Sequence, residues 1–204
     1  MALLKKALQL KREKKKKKRQ VKSSKILLPT INCSNWPIHE CLVPEELWEV
    51  GISQVMVSRK NSEDDIAVGM YLIDIFCLGI KDCFVRLTDL YEYQDMLDHV
   101  KESCGELERV EPVYINTLIH KAAEYAMQHG FKPHHDFAKA KKLLRNIPID
   151  DNQEFIFGID GKPYYTPGPY ESRSEINRIL NTLELNKGTD NHVHLVEILE
   201  DNEN

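Results

Sequence analysis

The chain has 204 residues, 42% of them hydrophobic, enough to bury one substantial core, and its formal net charge at pH 7 is -4. Its longest apolar stretch, residues 66–80, is interrupted by Asp74 and falls short of the ~18 to 20 residues that cross a bilayer as a helix, so no transmembrane span is expected. Cys33, Cys41, Cys77, Cys83 and Cys104 form an odd set without CxxC spacing, which argues against a disulfide scaffold and a zinc ribbon and for reduced thiols in the cytoplasm.

The charge is unevenly divided. Residues 1–25 carry twelve Lys or Arg against one Glu, a net +11, which leaves 16 basic and 31 acidic side chains, a net -15, in residues 26–204. Leu3, Leu4, Ala7, Leu8 and Leu10 are interleaved with lysines and never form the continuous apolar core of a secretory signal. Repulsion along Lys14 to Lys18 predicts a disordered or, at most, partly helical arm. Beyond it the pattern predicts a single α+β body over 26–199 and an acidic tail over 200–204.

The body opens on an apolar cluster at 26–28 that ends at Pro29. An irregular segment with Trp36 follows, then a short helix over 44–48, the two tryptophans forming a lid over the core. Residues 52–59 read as a strand, 60–65 as a turn and 66–80 as a longer strand, together an antiparallel hairpin. Strict alternation puts Val68, Met70, Leu72, Phe76 and Leu78 on one face and Ala67, Tyr71, Ile73, Ile75 and Cys77 on the other, so the long strand is predicted to be central and covered on both sides. Thr88 is placed to cap a helix through Leu90, Tyr93, Leu97, Val100 and Cys104 that stops at Gly105. A second helix starts at Pro112, turns Leu118, Ile119, Ala122 and Ala126 inward and ends at Gly130, and Asp136 caps a third, shorter one through Leu144. A hairpin around Asp160-Gly161, a capping box at Ser172 and Glu175 before Ile176, Ile179, Leu180 and Leu183, and a strand over 193–199 complete a C-terminal ββαβ layer.

Four segments, Asn35-Trp36-Pro37-Ile38, residues 71–81, residues 125–134 and residues 158–169, resemble an uncharacterised family of bacterial proteins over roughly residues 30–198. The resemblance implies a bacterial cytoplasmic setting and one continuous unit, and it brings no activity or site residue with it.

Asp74, Cys77 and Lys81 are the candidate catalytic residues, because an ionisable group inside an apolar strand must be paired, neutralised or placed in a cleft where its shifted pKa serves chemistry. Lys81 or Arg59 is the expected partner of Asp74, and strand parity separates Asp74 from Cys77. His120, Glu124, His134, His135 and Asp136 are the candidate metal ligands. No spacing forces these five into one pocket, so neither a metal nor any other cofactor is expected. Residues 158–169 lack the GxxxxGK[ST] order of a phosphate loop.

The strongest signal remains electrostatic. Lys5, Lys6, Lys11, Arg12, Lys14, Lys15, Lys16, Lys17, Lys18, Arg19 and Lys22 are the candidate nucleic-acid contacts of an arm expected to dock on RNA or a ribonucleoprotein, leaving the acidic body for solvent or a protein partner. The competing readings are a hydrolase using Asp74, Cys77 or a His/carboxylate metal site, and a peripheral binder of anionic membrane surface.

Overall fold

A computed structural model describes residues 33–187 and 193–194. The eleven candidate nucleic-acid contacts, the apolar cluster at 26–28, the acidic tail and most of the closing strand lie outside the described residues. What is described is an α+β fold built on an antiparallel five-stranded sheet in the order β4-β3-β2-β1-β5. Its strands are β1 (Ile38–Pro44), β2 (Ile52–Lys60), β3 (Ile66–Asp74), β4 (Gly79–Thr88) and the short edge strand β5 (Leu107–Arg109). Helix α1 (Leu47–Val50) joins β1 to β2, α2 (Leu90–Cys104) follows β4, and α3 (Pro112–Gln128) and α4 (Phe137–Ala140) follow β5. Strand β6 (Tyr164–Tyr165), helix α5 (Arg173–Lys187) and β7 (Val193–His194) come last.

The alternation read along β3 divides the core as expected. Val68 and Met70 pack with Tyr93 and Val100 of α2, while Tyr71 and Ile73 pack with Ile115, Leu118 and Ile119 of α3. The strand is flanked by β2 and β4 and covered on both faces, which a run of apolar residues with no polar side requires. Burial of these side chains, about 1.5 to 3 kcal/mol for each large aliphatic, is the main force that holds both helices to the sheet.

Three details depart from the sequence reading. The apolar run 66–80 is two strands, because Asp74 and Gly79 close a tight turn over Ile75–Leu78 and the chain doubles back as β4. Asp89, rather than Thr88, caps α2: its Oδ1 accepts the N–H groups of Tyr91 and Glu92, both at 3.0 Å, while Thr88 ends β4 and donates its hydroxyl to Glu92. The segment after Trp36 is a strand, not irregular chain, and its bulge between Ile38 and Glu40 breaks the alternation that would have revealed it.

The chain after α3 is irregular but firmly tied. Arg59 on β2 is 5% exposed and donates from Nε to the Leu143 carbonyl (2.7 Å), from Nη1 to that of Trp36 (2.6 Å) and from Nη2 to that of Arg145 (2.7 Å). Tyr71 adds a bond to the Ala140 carbonyl at 2.9 Å. A guanidinium fork and a phenol thus staple α4 and its 3-10 extension, Lys141–Leu144, to the sheet by their backbone oxygens. Asp136 precedes α4 but makes no side-chain cap.

The predicted hairpin at 155–165 is reduced to its turn. Asp160 and Gly161 both have positive φ, and Ile159 and Lys162 exchange backbone hydrogen bonds, as an Asp-Gly turn demands. Its arms do not pair further: Phe155 and Phe157 join an aromatic cluster with Trp48, Tyr114 and Tyr125, and Tyr164–Tyr165 pairs in parallel with Val193–His194. Trp48 therefore lies under this segment, while Trp36 packs against the separate Cys33, Ala67 and Leu143 cluster. The capping box forms as expected, Ser172 and Glu175 bonding reciprocally before α5.

Candidate functional site

The β3–β4 turn is the point on which the surrounding segments converge. Asp74 Oδ1 accepts the N–H of Phe76 (3.0 Å) and of Cys77 (2.9 Å). Ile75 donates its N–H to the Gly51 carbonyl (2.8 Å), and the Ile75 and Phe76 carbonyls accept the N–H groups of Gly158 and Tyr164, both at 3.0 Å. Gly79 closes the turn at φ 65, with Ala126 and the Ala122 carbonyl of α3 so near that a Cβ would stand 2.6 and 2.7 Å from them. The partner of Asp74 is thus backbone, not Lys81 or Arg59, and the expected separation from Cys77 on opposite strand faces is replaced by a direct bond within one turn. Burial raises the Asp74 pKa, against the pull of the Cys77, Leu78 and Phe76 N–H groups and of the Lys81 charge.

Lys81, two residues into β4, reaches Glu171 at 2.6 Å across ninety residues of sequence. Glu171 also accepts the Tyr165 hydroxyl and the Gly168 N–H. Burial alone would raise its pKa; the Lys81 ammonium, the Tyr165 hydroxyl and the Gly168 amide outweigh it and hold the carboxyl below its ordinary value. This ion pair borders a cavity of about 560 Å³ between the start of β4, the loop after α3 and helix α5. Leu78, Ile80, Phe131 and Ile179 supply apolar lining, and Lys132, His134, Arg178 and Glu175 join Lys81 and Glu171 as its charged or polar lining.

No protein-family model, curated protein or solved structure matches the chain. The roles of these residues rest on their geometry and chemistry.

Two of the sequence candidates, Lys81 and His134, share the cavity; Asp74 and Cys77 do not line it. Lys132, Glu171 and Arg178 were not found from sequence. An exposed lysine past a helix stop and an arginine on the polar side of α5 look like ordinary solvated charges until tertiary packing brings them together.

The histidine candidates separate into two groups. His134, His135 and Asp136 offer ligand atoms that lie within 4.8 Å of one another, closer than their loop position suggested, and His134 Nε2 is also 3.6 Å from Asp82. His120 and Glu124 are not in that group: His120 Nδ1 lies 2.9 Å from the Asn116 carbonyl oxygen and its ring tilts against Phe137, while Glu124 is exposed. Asp136 is engaged by Lys139 at 2.6 Å and lies 3.3 Å from the exposed His135. Three neighbours on one partly exposed stretch, with the carboxylate already paired, form an ion-pair cluster rather than a closed ligand set.

Cys77 is fully buried in the turn, and burial followed by the Asp74 charge pushes its thiol far above the usual range. Burial also raises Cys41 and Cys83, each to about 11. Cys104 differs: burial, which alone would raise it, is outweighed by the Ser103 and Ser53 hydroxyls and the Gln54 N–H, so its pKa is lowered. Iodoacetamide labelling of the native protein, read by peptide mass spectrometry, is expected to modify Cys104 first and Cys77 only as the protein unfolds. Labelling of Cys77 at the Cys104 rate would show that the turn opens to solvent.

Proposed function

We propose that the protein docks on RNA or a ribonucleoprotein through its polybasic N-terminal arm, in the reducing cytoplasm, and leaves its acidic body for solvent or a protein partner. The observation that carries this reading is the charge division, +11 in residues 1–25 against -15 in the remainder. Each phosphate neutralised by a lysine or arginine releases condensed counterion, so an arm of this charge gains affinity from phosphate contacts alone, without base readout. The environment of its candidates speaks against the hydrolase alternative, since Asp74 accepts backbone amides and burial disfavours the Cys77 thiolate. Among the described residues no helix is long and apolar enough to cross a membrane.

Replacing Lys14 to Lys18 by glutamine in the full chain tests the proposal. Binding to several unrelated single-stranded RNAs is expected to weaken to a similar degree for all of them, about tenfold or more at moderate salt, because phosphate contacts position without specifying. Removal of residues 1–25 is expected to abolish the salt-sensitive part while circular dichroism of the body stays unchanged. Affinity that survives both changes would refute the arm as the anchor, and flotation with anionic liposomes in place of RNA binding would assign it to a membrane surface.

A further inference from the structure

The cavity beside Lys81 is not accounted for by an arm that docks on phosphates. In a body whose residues 26–204 carry a net -15, an anion is drawn in only where cations are concentrated locally. Lys132 and Arg178 supply that concentration from two sides, the loop after α3 and the exposed face of α5, and His134 lies on the same lining. Two carboxylates, Glu171 and Glu175, share the lining with Lys81, Lys132 and Arg178, which leaves it a formal charge of +1 with His neutral. Glu171 accepts from Lys81, Tyr165 and Gly168, and Glu175 Oε2 accepts the Ser172 N–H (2.9 Å) and hydroxyl (2.7 Å). Beside the Ser172 N–H and hydroxyl, the charge of Arg178 helps to hold Glu175, three residues earlier on α5, below its ordinary pKa, whereas Lys132 has no hydrogen-bond or ion-pair partner among the described residues.

We propose that this cavity binds the phosphate monoester of a small organic ligand, with Lys132 and Arg178 on the phosphate and the apolar floor under the carbon body. A phosphate monoester, close to -2 at pH 7, gains more from Lys132 and Arg178 together than a single carboxylate does. The volume of about 560 Å³ lies in the ~300 to 1,000 Å³ range of small-molecule sites. Phe131, Leu78 and Ile179 give the lining an apolar side suited to a carbon body. A mononucleotide and the phosphorylated 5′ end of an RNA strand both present this chemistry.

The test is titration of the 15N-labelled full chain with adenosine 5′-monophosphate, followed by amide chemical shifts. Shifts are expected to concentrate in residues 130–134 and 175–182, and Lys132→Gln and Arg178→Gln are each expected to weaken binding about tenfold. Both positions are exposed, so the variants fold as the parent does. A chain with Lys14 to Lys18 changed to glutamine is expected to bind the nucleotide unchanged, which separates this site from the arm. Response to a 5′-phosphorylated oligoribonucleotide but not to the mononucleotide, lost in the Arg178 variant, would support the phosphate site and name the strand end as its source. The proposal is overturned if neither probe moves these amides, if both variants bind as the parent does, or if adenosine binds as tightly as its monophosphate.

Discussion

Arg59→Ala is expected to lower the unfolding free energy by about 3 to 5 kcal/mol, the largest single effect on this fold. The side chain is almost wholly buried, and its donors satisfy three backbone carbonyls, those of Leu143, Trp36 and Arg145. Each buried acceptor left without a partner costs about 1 to 3 kcal/mol. Arg59→Lys is expected to recover less than half of the loss, because a single ammonium cannot reproduce the planar fork that reaches three diverging oxygens. Urea unfolding measures the total, and hydrogen exchange locates it: protection is expected to fall first over residues 137–147, which the guanidinium ties to the sheet. An Arg59→Ala protein within 1 kcal/mol of wild type, or with exchange unchanged in that segment, would mean that apolar packing by Leu143 and Leu144 holds it without the clamp.

The second large effect is a contrast between two substitutions at Asp74. Asp74→Ala removes the acceptor from the Phe76 and Cys77 N–H groups inside the turn and is expected to cost about 2 to 4 kcal/mol. Asp74→Asn keeps a carbonyl oxygen in the same place but cannot ionise. Burial raises the pKa of Asp74 in the folded protein, so the folded state holds the proton more tightly than the unfolded chain. That contribution is complete below the unfolded value of about 3.9 and is lost as pH rises through the folded value. At pH 7 the asparagine variant is therefore expected to equal or exceed wild type in stability, and any advantage is expected to shrink as pH falls through the raised Asp74 value towards 3.9. Urea midpoints at the two ends of this range provide the comparison. Equal losses for alanine and asparagine at pH 7 would show that the negative charge, rather than the acceptor oxygen, stabilises the turn.

Much of the core was legible because its signals are local and periodic. The two faces of β3, the inward stripe of α3, the Gly105 and Gly130 stops and the Ser172–Glu175 box follow from spacing alone. The division of 66–80 into two strands was hidden by the apolar character of Ile75–Leu78, which keeps the strand pattern going through a turn. Its signature was nevertheless present: an Asp whose side chain reaches amides two and three residues on, and a Gly able to adopt positive φ. β1 was obscured by its bulge, and the arms of the Asp160-Gly161 turn by aromatic side chains that pack on α1 and α3 instead of pairing. The cavity was the least legible feature. It depends on Lys81 meeting Glu171, and on Lys132 and Arg178 facing one space, none of which is encoded in any short interval of sequence.

The arm's role is tested most directly by the salt dependence of RNA affinity for the full chain beside its Lys14 to Lys18→Gln variant. For single strands the logarithm of affinity falls with the logarithm of salt at a slope of about -0.7 per phosphate neutralised, so an arm making about six contacts gives a slope near -4. The predicted result is a slope of that order for the parent, reduced by about 3.5 when five lysines that each contact a phosphate are neutralised. A slope near zero, or a steep slope that the variant shares, would contradict docking through the arm.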